Sequence, residues 1–142
     1  MGSWKTGVLG GSLAGAVFGA GQSAYLLLTY ELARKAIDTA MRADITLPGI
    51  GQSMLYLIFS GLFFGAFFGL LYGWRYDNIP GRSPALKGVA IGIFVFLINL
   101  SDVGFYSSIG TLFLAMFIII NLMLATIYGF LLSYIYYRRE LY

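Results

Sequence analysis

The chain has 142 residues, of which 59% are hydrophobic and 11% charged, with a mean hydropathy of +0.82 and a net charge of +3. A soluble domain carries about 25% charged residues, so this chain has too few to cover itself with polar surface and reads as one integral membrane domain over residues 1–142. The basic residues are scattered, which argues against nucleic acid as a partner. Cys and His are absent, which removes disulfides, thiolate or imidazole metal sites, histidine-ligated haem and histidine acid–base chemistry.

The first predicted element is a span over about residues 6–29. It carries Gly7, Gly11, Gly15 and Gly19, one at every fourth position. That spacing keeps them in one narrow stripe of a helix. In water, glycine inside a helix costs roughly 1 kcal/mol against alanine. In a bilayer the bare stripe lets another backbone approach closely, the pattern of a glycine zipper. The apolar segment after Met1–Thr6 is too long for a signal peptide and lacks a persuasive cleavage site before Gln22, so the span is expected to be retained.

An amphipathic helix is predicted over about residues 31–44. Leu32, Ala33, Ala36, Ile37, Ala40 and Met41 repeat at three-and-four spacing. Glu31–Lys35, Arg34–Asp38 and Asp38–Arg42 are opposite charges four apart. Leu47-Pro48-Gly49 is expected to end it. It either docks a partner or simply extends the span with one face in water.

The second span, about residues 50–74, repeats the stripe with Gly61, Gly65, Gly69 and Gly73. Leu71, two residues from Gly69, is expected to face lipid on the opposite side. The third span covers about residues 84–102 and starts at an Ser83 N-cap with Pro84 at the first helical position. Gly88 and Gly92 are its small residues. The fourth span covers about residues 108–137, with Ser107 or Ser108 as its cap and Ala125, Gly129 and Ser133 in its second half. The fold class is therefore all-α: a membrane four-helix bundle with an amphipathic helix between its first and second spans.

With four spans, Lys5, Arg75, Arg82, Lys87, Arg138 and Arg139 share the side of both termini, against Arg34, Lys35 and Arg42 on the other. The positive-inside rule then predicts a multi-pass protein of the cell membrane with both termini cytoplasmic. Trp4, Tyr72, Trp74, Tyr76, Tyr134, Tyr136 and Tyr137 would form the inner aromatic belt, and Tyr25, Tyr30, Tyr56 and Tyr106 the outer one. The small residues of all four spans fall in the inner half, so the bundle is expected to be tight there and splayed outside. The splayed half is filled either by its own bulky side chains or by lipid, a ligand or a partner helix. A faint parallel repeat pairs Lys5-Thr6-Gly7-Val8 with Lys87-Gly88-Val89, and Gly65…Tyr72 with Gly129…Tyr136.

Asp102 is the only acid within these spans, with Asn99 one turn before it. An intramembrane acid is a candidate ion or polar site. At about 1.5 Å per residue from Lys87, however, Asp102 falls near the outer interface, where a solvated acid ending the helix is the plainer role. Asn121 is a further candidate. Gln22, Ser23, Ser60 and Thr126 are expected to bond between helices or to their own backbone. No catalytic triad, paired carboxylates, P-loop or dinucleotide fingerprint is present. No enzyme activity, cofactor or metal is expected.

The first-span stripe, together with Phe64-Gly65-Ala66-Phe67-Phe68-Gly69-Leu70-Leu71-Tyr72-Gly73, resembles the small glycine-rich four-span membrane proteins of bacteria and archaea, a group of uncharacterised function. The resemblance implies packed helices and carries no activity to any residue. The expected function is a non-catalytic subunit. It would pack through its glycine stripes (Gly7 to Gly19, Gly61 to Gly73, Gly88, Gly92, Gly129) against other membrane subunits or copies of itself in the lipid bilayer. The alternative is a small oligomeric transporter or channel for an ion or small solute.

Overall fold

The computed structural model describes residues 3–41 and 47–140. Every element is helical: α1 (Trp4–Met41), α2 (Leu47–Trp74), α3 (Pro84–Asn99), α4 (Val103–Ile109) and α5 (Thr111–Glu140), with short 3-10 turns at Tyr76–Asn78 and Leu100–Asp102. Among the described residues three stretches are long and apolar enough to cross a membrane: Gly49–Trp74, Pro84–Ile109 and Thr111–Arg139. The first predicted span is not among them. Its glycines and small residues carry little apolar side chain, so α1 is long without being strongly hydrophobic.

Several predicted boundaries shift. α1 runs past residue 29 as far as Met41, with non-helical dihedrals at Ala33 (φ −133°, ψ 27°) marking a kink. The segment predicted as an amphipathic helix continues α1 across this kink as far as Met41, one of the two arrangements its pattern allows. Arg42 and Asp44 lie outside the described residues, and Leu32 is exposed. Leu47-Pro48-Gly49 does not end a helix but opens α2, where proline in a first turn forfeits no helical bond. Ser83 caps α3 as expected, accepting from the Leu86 amide at 3.3 Å. The third predicted span does not stop at Asp102: the chain tightens into one 3-10 turn and resumes as α4. Ser107 and Ser108 are not caps; they lie inside α4 and donate back to the Gly104 and Phe105 carbonyls. The break comes at Gly110, whose φ of 152° and ψ of 154° suit only glycine, and α5 starts at Thr111.

The helices stand in the order α2, α1, α5, α3, each packed on the next, while α2 and α3 barely touch. α1 and α2 form an antiparallel pair. A Cβ placed on Gly11 would lie 2.7 Å from the Gly69 Cα; one on Gly15 would lie 2.8 Å from the Gly65 Cα. Gly7 faces Gly69, Gly19 faces Leu57 and Ile58, and Gly73 faces Ser3 and Trp4. α3 and α5 meet in the same manner where Gly88 faces Gly129 and Ser133, and Gly92 faces Ala125.

One core cluster lies at the end near the first residues of α1 and the last of α5, here called proximal. It holds Ala14, Phe18, Phe68, Tyr72, Val95, Ala125, Tyr128, Leu132 and Tyr136. The other, distal, holds Tyr25, Tyr30, Ala33, Ile50, Tyr106, Ile109 and Phe117. Leu71 does not face away as expected; it is half-buried against the proximal cluster. The aromatic belts are also corrected. Tyr72 and Tyr136, and distally Tyr25, Tyr30 and Tyr106, are buried, while Trp4, Trp74, Tyr134, Tyr137 and Tyr56 are exposed. Tyrosine on an inward helical face serves as core once its hydroxyl finds a partner: Tyr25 donates to the Phe113 carbonyl and Tyr72 to the Pro84 carbonyl, at 2.9 and 3.0 Å.

Candidate functional site: a lateral cleft between α2 and α3

The proximal end is closed by side chains. Tyr72 meets Tyr76 and Tyr136 edge-on, with centroids 5.4 and 5.1 Å away, and Tyr76 stacks on Tyr136 at 5.2 Å. Lys87 donates to the Tyr76 carbonyl at 2.6 Å, and its ammonium sits 4.1 Å from the Tyr76 ring centre. Burial, with Asp77 and Tyr137 nearby, pushes the Tyr76 phenol above its ordinary value and keeps it neutral. These contacts tie the loop between α2 and α3 to the end of α5.

Away from this clamp, α2 and α3 separate. The expected splay is therefore one-sided. Between α1, α4 and α5 the aromatic residues fill the space, with Tyr106 stacked on Phe117 at 4.2 Å. Between α2 and α3 a cleft of about 470 Å³ remains. Its floor is Gly15, Phe18 and Gln22 of α1 with Tyr128 of α5. One wall is the α2 face from Tyr56 to Phe68, and the other is Val95, Ile98, Asn99, Ser101 and Asp102. Tyr56, Phe64, Phe67 and Ile98 are exposed at its rim, so it opens sideways. Within it, Tyr128 donates to the Gly65 carbonyl at 3.1 Å, in the middle of the glycine contact.

The polar groups gather at the distal end. Gln22 Nε2 donates to Asn99 Oδ1 at 2.8 Å and to Asn121 Oδ1 at 3.0 Å, joining α1, α3 and α5. Asn99 Nδ2 donates back to the Val95 carbonyl and Asn121 Nδ2 to the Phe117 carbonyl. Each amide thus spends one donor on its own helix and one acceptor on Gln22. Such interhelical bonds within a bilayer contribute about 0.6 kcal/mol on average and up to about 1.7. Asp102 sits at the cleft mouth, exposed, accepting from the Ser101 hydroxyl at 3.4 Å.

The three candidate polar residues therefore divide. Asn99 and Asn121 come together through Gln22, and Asp102 lies outside that knot. Asn121 is buried and does not line the cleft. Gln22, the hub, was expected only as a structural hydrogen bonder. A depth count finds it: from Thr6, Pro84 and Tyr137, the amides of Gln22, Asn99 and Asn121 lie about 16, 15 and 16 residues in. Of the remaining in-span polar residues, Ser60 and Thr126 bond to their own helices. Ser23 lies 2.8 Å from the Gly19 carbonyl and 2.9 Å from that of Met54 on α2. Among the described residues no three acidic side chains gather into a metal-binding group. No family model matches this chain, and no curated protein or solved structure is significantly similar to it.

Proposed function

We propose that this chain is a non-catalytic subunit of a membrane assembly, built as four spans in which α1 crosses the bilayer alongside α2. The observation that carries the four-span part of this reading is the α1–α2 contact, which occupies both long glycine stripes within the chain, so neighbouring subunits would meet other faces than those stripes. α1 is poorer in apolar side chains than the other three, yet its backbone lies against α2 from Gly7 to Gly19. The part of α1 before the kink at Ala33 has about 29 residues and is about 44 Å long, ample to cross a hydrocarbon core of about 30 Å. Fixed antiparallel to a span, it is carried through with it. The broad apolar faces left outside, including Phe59, Phe63, Ile119 and Met123, suit lipid or neighbouring subunits.

Orientation follows from the proximal end. Lys5, Arg75 and Arg138 lie over the rings of Trp4, Trp74 and Tyr134, and this basic, aromatic end supports the reading that both termini are cytoplasmic, although Arg34 lies over Tyr30 at the other end. The alternative, a small transporter or channel, is favoured by one feature, the polar cleft mouth at Asp102. Mass determination after purification in mild detergent tests the assignment. A defined complex with other subunits supports it. A lone oligomer that conducts ions or solute in liposomes would replace it with the alternative.

A further inference from the structure

We propose that the cleft between α2 and α3 binds one membrane amphiphile with a protonated amine head and an apolar tail, the amine at Asp102 and the tail along the aromatic wall. The proposal rests on the membrane reading above and is independent of the subunit assignment. Size comes first. A cavity of about 470 Å³ is in the range of small-molecule sites. A single alkyl chain is an occupant of that size. Left empty, the side chains of Phe18, Phe68 and Val95 would forfeit dispersion contacts on that side.

Polarity then orients the occupant. The cleft is mostly apolar along its length, where the Ser60 and Tyr128 hydroxyls are spent on backbone carbonyls, and its charged group is at the distal mouth, so the occupant has one polar end. The charge there has one sign. No lysine or arginine lines the cleft, and the Asp102 carboxylate accepts from the Ser101 hydroxyl with the Tyr106 phenol close enough to interact with it electrostatically. The Gln22 carbonyl oxygen, with its amide nitrogen committed to Asn99 and Asn121, accepts from no described residue. The open acceptors of the cleft thus include the Asp102 carboxylate at the mouth and the Gln22 amide oxygen on the floor. An ammonium, with three donors and a positive charge, complements the carboxylate at the mouth. A carboxylate or phosphate head would meet like charge.

The test uses the full chain in nanodiscs of uncharged lipid, with Tyr56→Trp as a reporter at the mouth. Trp4 and Trp74 lie at the opposite end. The probes are brominated dodecylamine, dodecanol and dodecanoate, which share a tail and differ in head. The expected result is saturable quenching with the amine about tenfold tighter than the alcohol. Asp102→Asn should abolish that preference and leave dodecanol binding unchanged. Ile98→Trp, which fills the cleft from an exposed rim position, should exclude all three while the helical circular dichroism is kept. Equal affinity for amine and alcohol, tighter binding of the carboxylate, or no saturable quenching by an inserted, helical protein would overturn the proposal. Failure to enter nanodiscs at all would instead overturn the membrane reading.

Discussion

Gly65→Ala adds one methyl group in the middle of the close α1–α2 contact. That Cβ would stand 2.7 Å from the Gly15 Cα and 3.1 Å from its nitrogen, with the Gly11 carbonyl closer still. Carbon pairs settle at about 3.5–4.0 Å, so the helices must part by about 1 Å. A gap of that size forfeits roughly a quarter to a half of each contact's attraction. Overpacking of this kind costs about 1–3 kcal/mol. Gly51→Ala is the control on the same helix, because a Cβ there meets nothing within 4 Å. Alanine's better helix propensity should make that change neutral or stabilising by up to about 1 kcal/mol. One substitution at two positions thus has opposite signs. The assay is reversible unfolding in mixed micelles, with the distance between spin labels at exposed Val17 and Phe59 measured in parallel. The reasoning fails if Gly65→Ala matches Gly51→Ala in stability and leaves the label distance unchanged.

Three further outcomes are expected. Gly110→Ala should destabilise by about 1–3 kcal/mol in the same unfolding assay, since its φ of 152° suits only glycine; a neutral result would mean the α4–α5 turn has another geometry. Gln22→Leu leaves the Asn99 and Asn121 oxygens without their shared donor, and a double-mutant cycle with Asn121→Leu should give a coupling of about 0.6–1.7 kcal/mol, with zero coupling refuting the three-helix knot. Cysteines placed at Ser3 and at Ser107 should label from opposite faces of sealed vesicles, and labelling of both from one face would reject the four-span topology.

The stripes in α1 and α2 show how far sequence reaches. Spacing by four placed Gly7 to Gly19 on one helical face and Gly61 to Gly73 on another, because helical periodicity is local. Spacing says nothing of register, and the facing of Gly11 with Gly65 and Gly69 is a property of the packed pair. Leu71 shows the limit of the same argument. Its place opposite Gly69 was read as lipid-facing, but α2 also contributes to the proximal core on a second side. Tyr72 and Tyr136 were read as interface residues from their type, whereas their neighbours across three elements made them core.

Composition and periodicity by themselves determined the all-helical character, the apolar stretches of α2, α3 and α5, the start of α3 at Ser83-Pro84 and the small-residue stripes. These depend on side-chain chemistry within a few turns of chain. The cleft, the Gln22 hub and the one-sided splay were decided only by tertiary structure. Each depends on which helices are neighbours: α1 fills the angle between α2 and α5, leaving α2 and α3 apart. Pairing between residues some 77 and 99 positions apart in the chain is set by that arrangement and by no local preference.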